Sequence, residues 1–191
     1  MSVIADNRSA APVPRDWRIE TRRLTLTGCD AQADEALARI VAQPRVYEPY
    51  YMEPASIRSA VADAESWWAQ NAALFNVVAR ERNGGRIVGV VQFEGNRLAY
   101  LVDPELWKRG FGVEMVTACM AQVPALFSLR ELHASLLREN RASQRILERA
   151  GFRFSGLEQM RWGTGAARAV LNYRWLSYSP CPAPPGSGCA G

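Results

Sequence analysis

The sequence predicts a mixed α/β domain: one mostly antiparallel sheet with helices on both faces. Three observations predict it. Runs that alternate apolar and polar residues are interleaved with runs whose apolar residues fall at helical spacing. Three strand-like runs in the middle of the chain follow one another across short Gly turns, as antiparallel neighbours do. The later strand-like runs alternate with helices, as βαβ crossovers do.

The elements read in order as follows. Residues 1–16 are polar and rich in Pro and Ala, and are expected to be flexible. Arg23–Thr27 (RLTLT) alternates as a half-buried strand does. Asp30 stands where a helix N-cap belongs, and Ala33, Leu37, Ile40 and Val41 follow on one helical face. Gln43-Pro44 breaks that helix. Val46–Pro54 (VYEPYYMEP) is aromatic, acidic and proline-interrupted, so it reads as a loop. Ser56–Asn71 reads as a second amphipathic helix carrying Val61, Ala64, Trp67 and Trp68, with the two tryptophans read as core or groove wall.

Phe75–Arg80 and Arg86–Phe93 are strand-like and are joined by a turn at Asn83-Gly84-Gly85. A second turn at Glu94-Gly95-Asn96 leads to the strand Leu98–Val102. Val113–Gln122 is helical, Glu131–Leu136 is a strand, and Ala142–Ala150 is a helix ended by Gly151, a residue suited to a left-handed cap. Phe152–Phe154 and Ala169–Trp175 are strand-like. The tail Pro180–Gly191 (PCPAPPGSGCAG) has the composition of disorder. The predicted order is β-α-α-β-β-β-α-β-α-β-β, one domain over 17–178 with a tail at 179–191.

A chain of 191 residues can bury a sizeable core. Its 48% apolar and 22% charged residues are those of a globular protein. No apolar run approaches the ~20 residues of a membrane span, and the N-terminus lacks a signal-peptide core, so a cytoplasmic protein without a membrane partner is expected. The net charge of +4 is scattered, apart from Arg22-Arg23, Lys108-Arg109 and the Arg138–Arg153 stretch. Local patches of that size suit a phosphate-bearing small molecule, and a nucleic-acid partner is not expected. Cys29, Cys119, Cys181 and Cys189 include no CxxC pair, and His133 is the one histidine. No metal site is therefore expected, a Ser-His-Asp triad has little support, and the thiols are expected to be reduced and unpaired.

The segment that carries chemistry is Trp107-Lys108-Arg109-Gly110-Phe111-Gly112, set between a strand and a helix. Gly110 and Gly112 allow close backbone approach and conformations closed to other residues. The first amides of a helix are unpaired donors, and the helix dipole adds positive charge there. Together they make an anion site suited to pyrophosphate. Lys108 and Arg109 add charge at its rim. No third glycine completes a dinucleotide fingerprint, and the Walker pattern is absent.

This segment resembles motif A of the GNAT acyltransferases, [Q/R]-x-x-G-x-[G/A], with Trp107 at the first position. Tyr100-Leu-Val-Asp-Pro104 resembles the family's fourth strand. The opening Glu20-Thr-Arg-Arg-Leu-Thr-Leu26 resembles the branch that includes the ribosomal-protein N-terminal acetyltransferases. Arg138-Glu-Asn-Arg-Ala-Ser-Gln-Arg-Ile-Leu-Glu-Arg-Ala-Gly-Phe152 resembles that branch's N-x-x-S…GF segment.

The resemblance implies a GNAT-like fold whose fourth and fifth strands, here Leu98–Val102 and Glu131–Leu136, splay apart around the pantetheine arm of acetyl-CoA. It implies that backbone groups of Leu101 and Val102 pair with that arm. It implies that the amides from Arg109 through Gly110, Phe111 and Gly112 to Val113 take the pyrophosphate, with Lys108 nearby. Asn140 is implied as a cofactor contact and Ser143 as the donor to the leaving thiolate. The tyrosine that many family members carry four residues later is Leu147 here. Glu94 is a candidate general base, as the residue aligned with the family's strand-four glutamate is Arg97. A water relay without a dedicated base is also open. Tyr50, Tyr51 and Glu53, with Tyr47 and Glu48, are candidates for holding a cationic amine. The implied reaction is acetyl transfer to a primary amine of a peptide or small molecule. An antibiotic-modifying enzyme and a non-catalytic acyl-CoA-binding module are the alternatives, in a monomer or homodimer.

Overall fold

The computed structural model describes residues 17–47, 75–161 and 166–177. The expected segments 1–16 and 179–191, the helix Ser56–Asn71, and Glu48, Tyr50, Tyr51, Glu53, Trp67 and Trp68 lie outside the described residues. The elements are β1 (Arg18–Glu20), β2 (Leu24–Gly28), α1 (Ala31–Val41), α2 (Pro44–Tyr47), β3 (Phe75–Glu81), β4 (Ile87–Glu94), β5 (Arg97–Val102), a 3-10 turn at Pro104–Leu106, α3 (Phe111–Leu126), β6 (Glu131–Leu137), α4 (Arg141–Arg149), β7 (Arg153–Met160) and β8 (Arg168–Leu176). They form one eight-stranded sheet in the order β1-β2-β3-β4-β5-β6-β8-β7. Every neighbouring pair is antiparallel except β5 and β6.

Among the described residues the expected elements occur in the expected order, with additions, while the expected second helix falls outside them. β1 is a three-residue strand paired with β2, too short to show a period in the sequence. Pro44 ends α1 and then opens the one-turn α2, a position where its missing amide is tolerated. The strand expected at Phe152–Phe154 runs from Arg153 to Met160. Exposed polar residues hide its period, because it is the outermost strand and is exposed on both faces.

The period-two pattern divides the core between two layers. Leu24, Leu26, Val77, Val91, Phe93, Leu98 and Leu132 pack with Met115, Val116, Cys119 and Val123 of α3 and Leu147 of α4. Val78 and Val90 point the other way and pack with Ala33, Leu37 and Ile40 of α1 and Val46 of α2. β3 and β4 are therefore covered on both faces. Each fully buried leucine contributes roughly 2 kcal/mol of transfer free energy. α1 starts where expected: Asp30 Oδ1 accepts from Ala33 N at 2.9 Å, and the same carboxylate pairs with Arg80 at 2.7 Å. Cys119 is buried, and burial pushes its thiol up.

The sheet is interrupted at its centre. β5 pairs with β4 from Arg97 to Val102, and β6 pairs with β8 from Glu131 to Leu137. Between them β5 and β6 share one register pair, Arg97 with His133, beside a bond from His133 N to Asn96 O at 2.7 Å. Beyond it the two parallel strands separate, toward Val102 on one and Leu137 on the other. The expected splay is present.

Candidate functional site

The splayed end of β5 leads straight into the glycine turn. Asp103 stops the strand: its Oδ1 accepts from Glu105 N at 3.0 Å and its Oδ2 from Arg86 at 2.8 Å. The Trp107 indole folds back, and its Nε1 donates to Val102 O at 2.8 Å. Lys108 then takes φ 62° and Gly110 φ 81°, so the chain twice enters the left-handed region before α3 opens. Such a conformation costs a non-glycine residue free energy, and it marks Lys108 as held by its surroundings. The ladder of α3 starts with Glu114 N donating to Gly110 O at 3.2 Å. The amides of Phe111, Gly112 and Val113 stand ahead of it, and Gly110 supplies no side-chain cap. The result is a set of outward donors at the positive end of a helix.

The two glycines do different work. Gly110 needs its positive φ. Gly112 is helical and buried, and a β-carbon there would sit 2.8 Å from Ile146 Cδ1 and 3.4 Å from Val102 Cγ2. Conformational freedom was expected at both. At Gly112 smallness is what matters, because the first turn of α3 is pressed between β5 and α4.

Arg23, from the loop between β1 and β2, crosses over this turn. Its Nη1 donates to Arg109 O at 2.9 Å, its Nε donates to Glu114 Oε2 at 2.7 Å, and its guanidinium carbon lies 4.2 Å from the centre of the buried Phe111 ring. Glu114 Oε1 also accepts from Thr21 Oγ1 at 2.6 Å and from Arg23 N at 2.9 Å. Burial raises the Glu114 carboxyl, but the bonds from Thr21 and Arg23 outweigh it and hold its pKa below the ordinary value.

One expectation about β5 needs correction. Leu101 pairs with Val90, its carbonyl is turned onto Gly89, and Asp103 N donates to Val88 O at 2.8 Å. Leu101 and Asp103 therefore direct their backbone groups toward β4. In an antiparallel ladder alternate residues point to opposite sides. Tyr100 and Val102 thus face the gap, and Leu101 cannot pair with anything lying in it. The Val102 carbonyl already accepts the Trp107 indole. Tyr100 was missed in the sequence because an aromatic alternating with Leu98 and Val102 reads as core.

Tyr100 reaches across the gap, and its hydroxyl donates to Ser143 O at 3.3 Å. Asn140 caps α4: its Oδ1 accepts from Ser143 N at 3.0 Å. The Ser143 hydroxyl makes no hydrogen bond among the described residues. Leu147, one turn on, is buried in the core and offers no polar group.

On the opposite face of the sheet lies a cavity of about 520 Å³, walled by Gln92 and Glu94 of β4, Arg97 to Ala99 of β5, His133 to Ser135 of β6, and Asn172 and Tyr173 of β8. Glu94 and Arg97 are register partners across the turn at Gly95-Asn96, and neither side chain has a partner among the described residues. Around them polar groups are committed. Ser135 Oγ donates to Asn172 Oδ1 at 2.7 Å, and Asn172 Nδ2 donates to Glu158 Oε1 at 3.0 Å. Glu131 holds His133 at 2.9 Å and Arg174 at 2.5 Å, and the bond from Arg174, chief among several causes, keeps its carboxyl below the ordinary value. Among the described residues no group of three or more His, Cys, Asp or Glu converges as a metal site would require, and no helix is long and apolar enough to cross a membrane.

β5 thus lines a polar cavity at its Arg97 end, parts from β6 along its length, and runs at its Val102 end into an anion cradle at a helix start. A family model for the acetyltransferase (GNAT) domain matches residues 23–153. The chain belongs to the GNAT acetyltransferases. As a GNAT enzyme it is an N-acetyltransferase with acetyl-CoA as donor. Among solved structures it is similar to the spermidine N-acetyltransferase of Vibrio cholerae in complex with CoA and spermine, at TM-score 0.70 and 14% identity over 82% of this chain and 96% of that one. It is similar to the ribosomal-protein-S5-alanine acetyltransferase of Vibrio fischeri, at TM-score 0.69 and 14% identity over 84% and 97%. It is similar to the microcin C7 self-immunity acetyltransferase in complex with acetyl-CoA and AMP, at TM-score 0.65 and 17% identity over 82% and 94%. At these identities the likeness is one of fold. No curated protein matches the chain by sequence.

Proposed function

We propose that this GNAT enzyme acetylates the primary amine of a peptide or amino-acid-like acceptor by direct attack on the thioester. The observation that carries the reading is that β5, which pairs with β6 only at Arg97, leads at one end to the α3 N-terminus and lines at the other the Glu94–Arg97 cavity. In this reading the amides of Phe111, Gly112 and Val113 hold the pyrophosphate, with Lys108 and Arg109 adding charge at the rim. The gap-facing backbone of Tyr100 and Val102 lines the path of the pantetheine arm. Asn140 orders the start of α4 as its cap, which sets where the Ser143 hydroxyl stands.

The amine must lose its proton to attack. Glu94, at the cavity wall, accepts it directly or through water. The Ser143 hydroxyl, uncommitted on the other side of the gap, donates to the departing thiolate. The Tyr100 hydroxyl braces Ser143 through its carbonyl. The cavity's uncommitted side chains carry both signs. Arg97 repels a polycation and suits an acceptor with a carbonyl or carboxylate near its amine, while Glu94 attracts the amine itself. Tyr50, Tyr51 and Glu53 remain proposed acceptor contacts.

The test is a panel of N-terminal peptides, amino-acid amides and polyamines incubated with acetyl-CoA, read by release of free thiol. Peptides and amino-acid amides are expected to raise release above background hydrolysis. Turnover of polyamines alone would overturn the acceptor class, and no turnover on any amine would leave an acyl-CoA-binding module.

A further inference from the structure

An acidic residue in the first turn of a helix proposed to bind pyrophosphate is a contradiction to be resolved. A carboxylate there favours the helix dipole but repels the ligand. Glu114 occupies that turn, with an ion-pair oxygen 2.7 Å from Arg23. Its two oxygens accept three hydrogen bonds, from the Thr21 hydroxyl, the Arg23 amide and Arg23 Nε. All come from the three residues that join β1 to β2. The same guanidinium binds the one carbonyl of the turn for which such a bond is seen, Arg109 O, and covers the ring of Phe111. Its Nη2 lies 3.5 Å from where a β-carbon on Gly110 would be. One side chain thus bonds Arg109, covers Phe111, leaves no open space over Gly110 between them, and neutralises the carboxylate behind them.

The geometry points to Arg23 as a positioning residue for the phosphate-binding turn: it neutralises Glu114 and turns the Arg109 carbonyl away from the anion, so that the turn presents donors only. The inference rests on the proposed placement of the pyrophosphate. A planar fork is required, because a lysine has one point of charge and cannot serve the carboxylate, the carbonyl and the ring together.

The test compares ligands with and without the ADP moiety. Calorimetric affinity for CoA and for pantetheine is measured on the wild type, Arg23→Lys, Arg23→Gln and Arg23→Gln/Glu114→Gln, with folding checked by thermal melting. Arg23→Gln is expected to weaken CoA about tenfold, the scale of one charge-assisted hydrogen bond, and to leave pantetheine unchanged. Adding Glu114→Gln is expected to recover part of that loss, because the unpaired carboxylate is removed. Arg23→Lys is expected to fall between wild type and Arg23→Gln, and it carries the test if the glutamine variant does not fold. Equal weakening of CoA and pantetheine, or no weakening of either, overturns the role of Arg23. If the wild type binds pantetheine as tightly as CoA, the phosphate placement itself fails.

Discussion

The proposed donor end and the proposed acceptor face of this sheet are built in opposite ways. At the donor end almost every group is committed. Glu114 accepts three hydrogen bonds, the Trp107 indole is bonded to Val102, Gly112 is pressed against Ile146, and the Leu101 carbonyl lies on Gly89. On the acceptor face, Glu94 and Arg97 line a cavity with no partner among the described residues. A cradle that grips phosphates through backbone amides must be rigid, since amides cannot be re-aimed by a rotamer. An acceptor site works through side chains, and those can change without disturbing the fold. Under the proposed function, rigidity marks the half that holds the donor, and uncommitted charge marks the half that would select the substrate.

The contrast breaks most severely at Gly89. A β-carbon there would lie 2.0 Å from Leu101 O and 3.0 Å from Val102 Cα, both backbone atoms. Gly89→Ala is expected to cost about 3 kcal/mol in denaturant unfolding and to disturb the end of β5. A wild-type midpoint would show that β5 is free to move, and the claim of a rigid donor end would be lost. The next largest effect is kinetic. Ser143→Ala is expected to lower kcat about a hundredfold with unchanged CoA affinity and melting temperature, as loss of a proton donor does. A loss of CoA affinity with kcat intact would instead place Ser143 among the binding groups.

How far these halves could be read from sequence follows from the same difference. The turn was legible because close approach and left-handed backbone need glycine, and a helix start needs no side chain. The splay was expected from the resemblance at Tyr100–Pro104, and the structure shows it. The strand phase was not legible: which of Leu101 and Val102 faces the gap depends on register with β4, which no local pattern records. Arg23 was also hidden, because its partner Glu114 lies 91 residues away and nothing local links them. Glu94 was singled out from its position at a strand end, and it does line the cavity. His133, which lines the same cavity, comes from β6, and no local pattern signals that meeting.

The two glycines of the turn separate two meanings of rigidity. Gly110→Ala is expected to cost about 1 kcal/mol, because an alanine at φ 81° is strained whatever space surrounds it. Gly112→Ala meets the terminal methyl of Ile146, the far end of a flexible side chain, and is expected to cost less. Gly112→Ala combined with Ile146→Val removes that methyl and should recover the loss, while no repacking recovers Gly110→Ala. If the double variant gains nothing, the strain at Gly112 lies in the backbone.

The smallest effect concerns acid. Glu114 is depressed in the folded protein by its bonds to Thr21 and Arg23, so its ionised form is favoured by folding. For a depressed carboxyl the stabilisation is complete above the unfolded value, and it is lost as pH falls through the folded one. The tie between the β1–β2 loop and the phosphate turn should therefore weaken only at acid pH, below the ordinary carboxylate range. Glu114→Gln is expected to flatten the acid limb of stability against pH and leave the neutral region nearly parallel to wild type. Because the carboxylate is part exposed, the change is modest, and comparing CoA affinity along the same pH series sharpens it. Affinity that falls with stability in the wild type but not in Glu114→Gln would tie the acid limb to this one contact. Parallel loss in both proteins would assign it to carboxyls elsewhere.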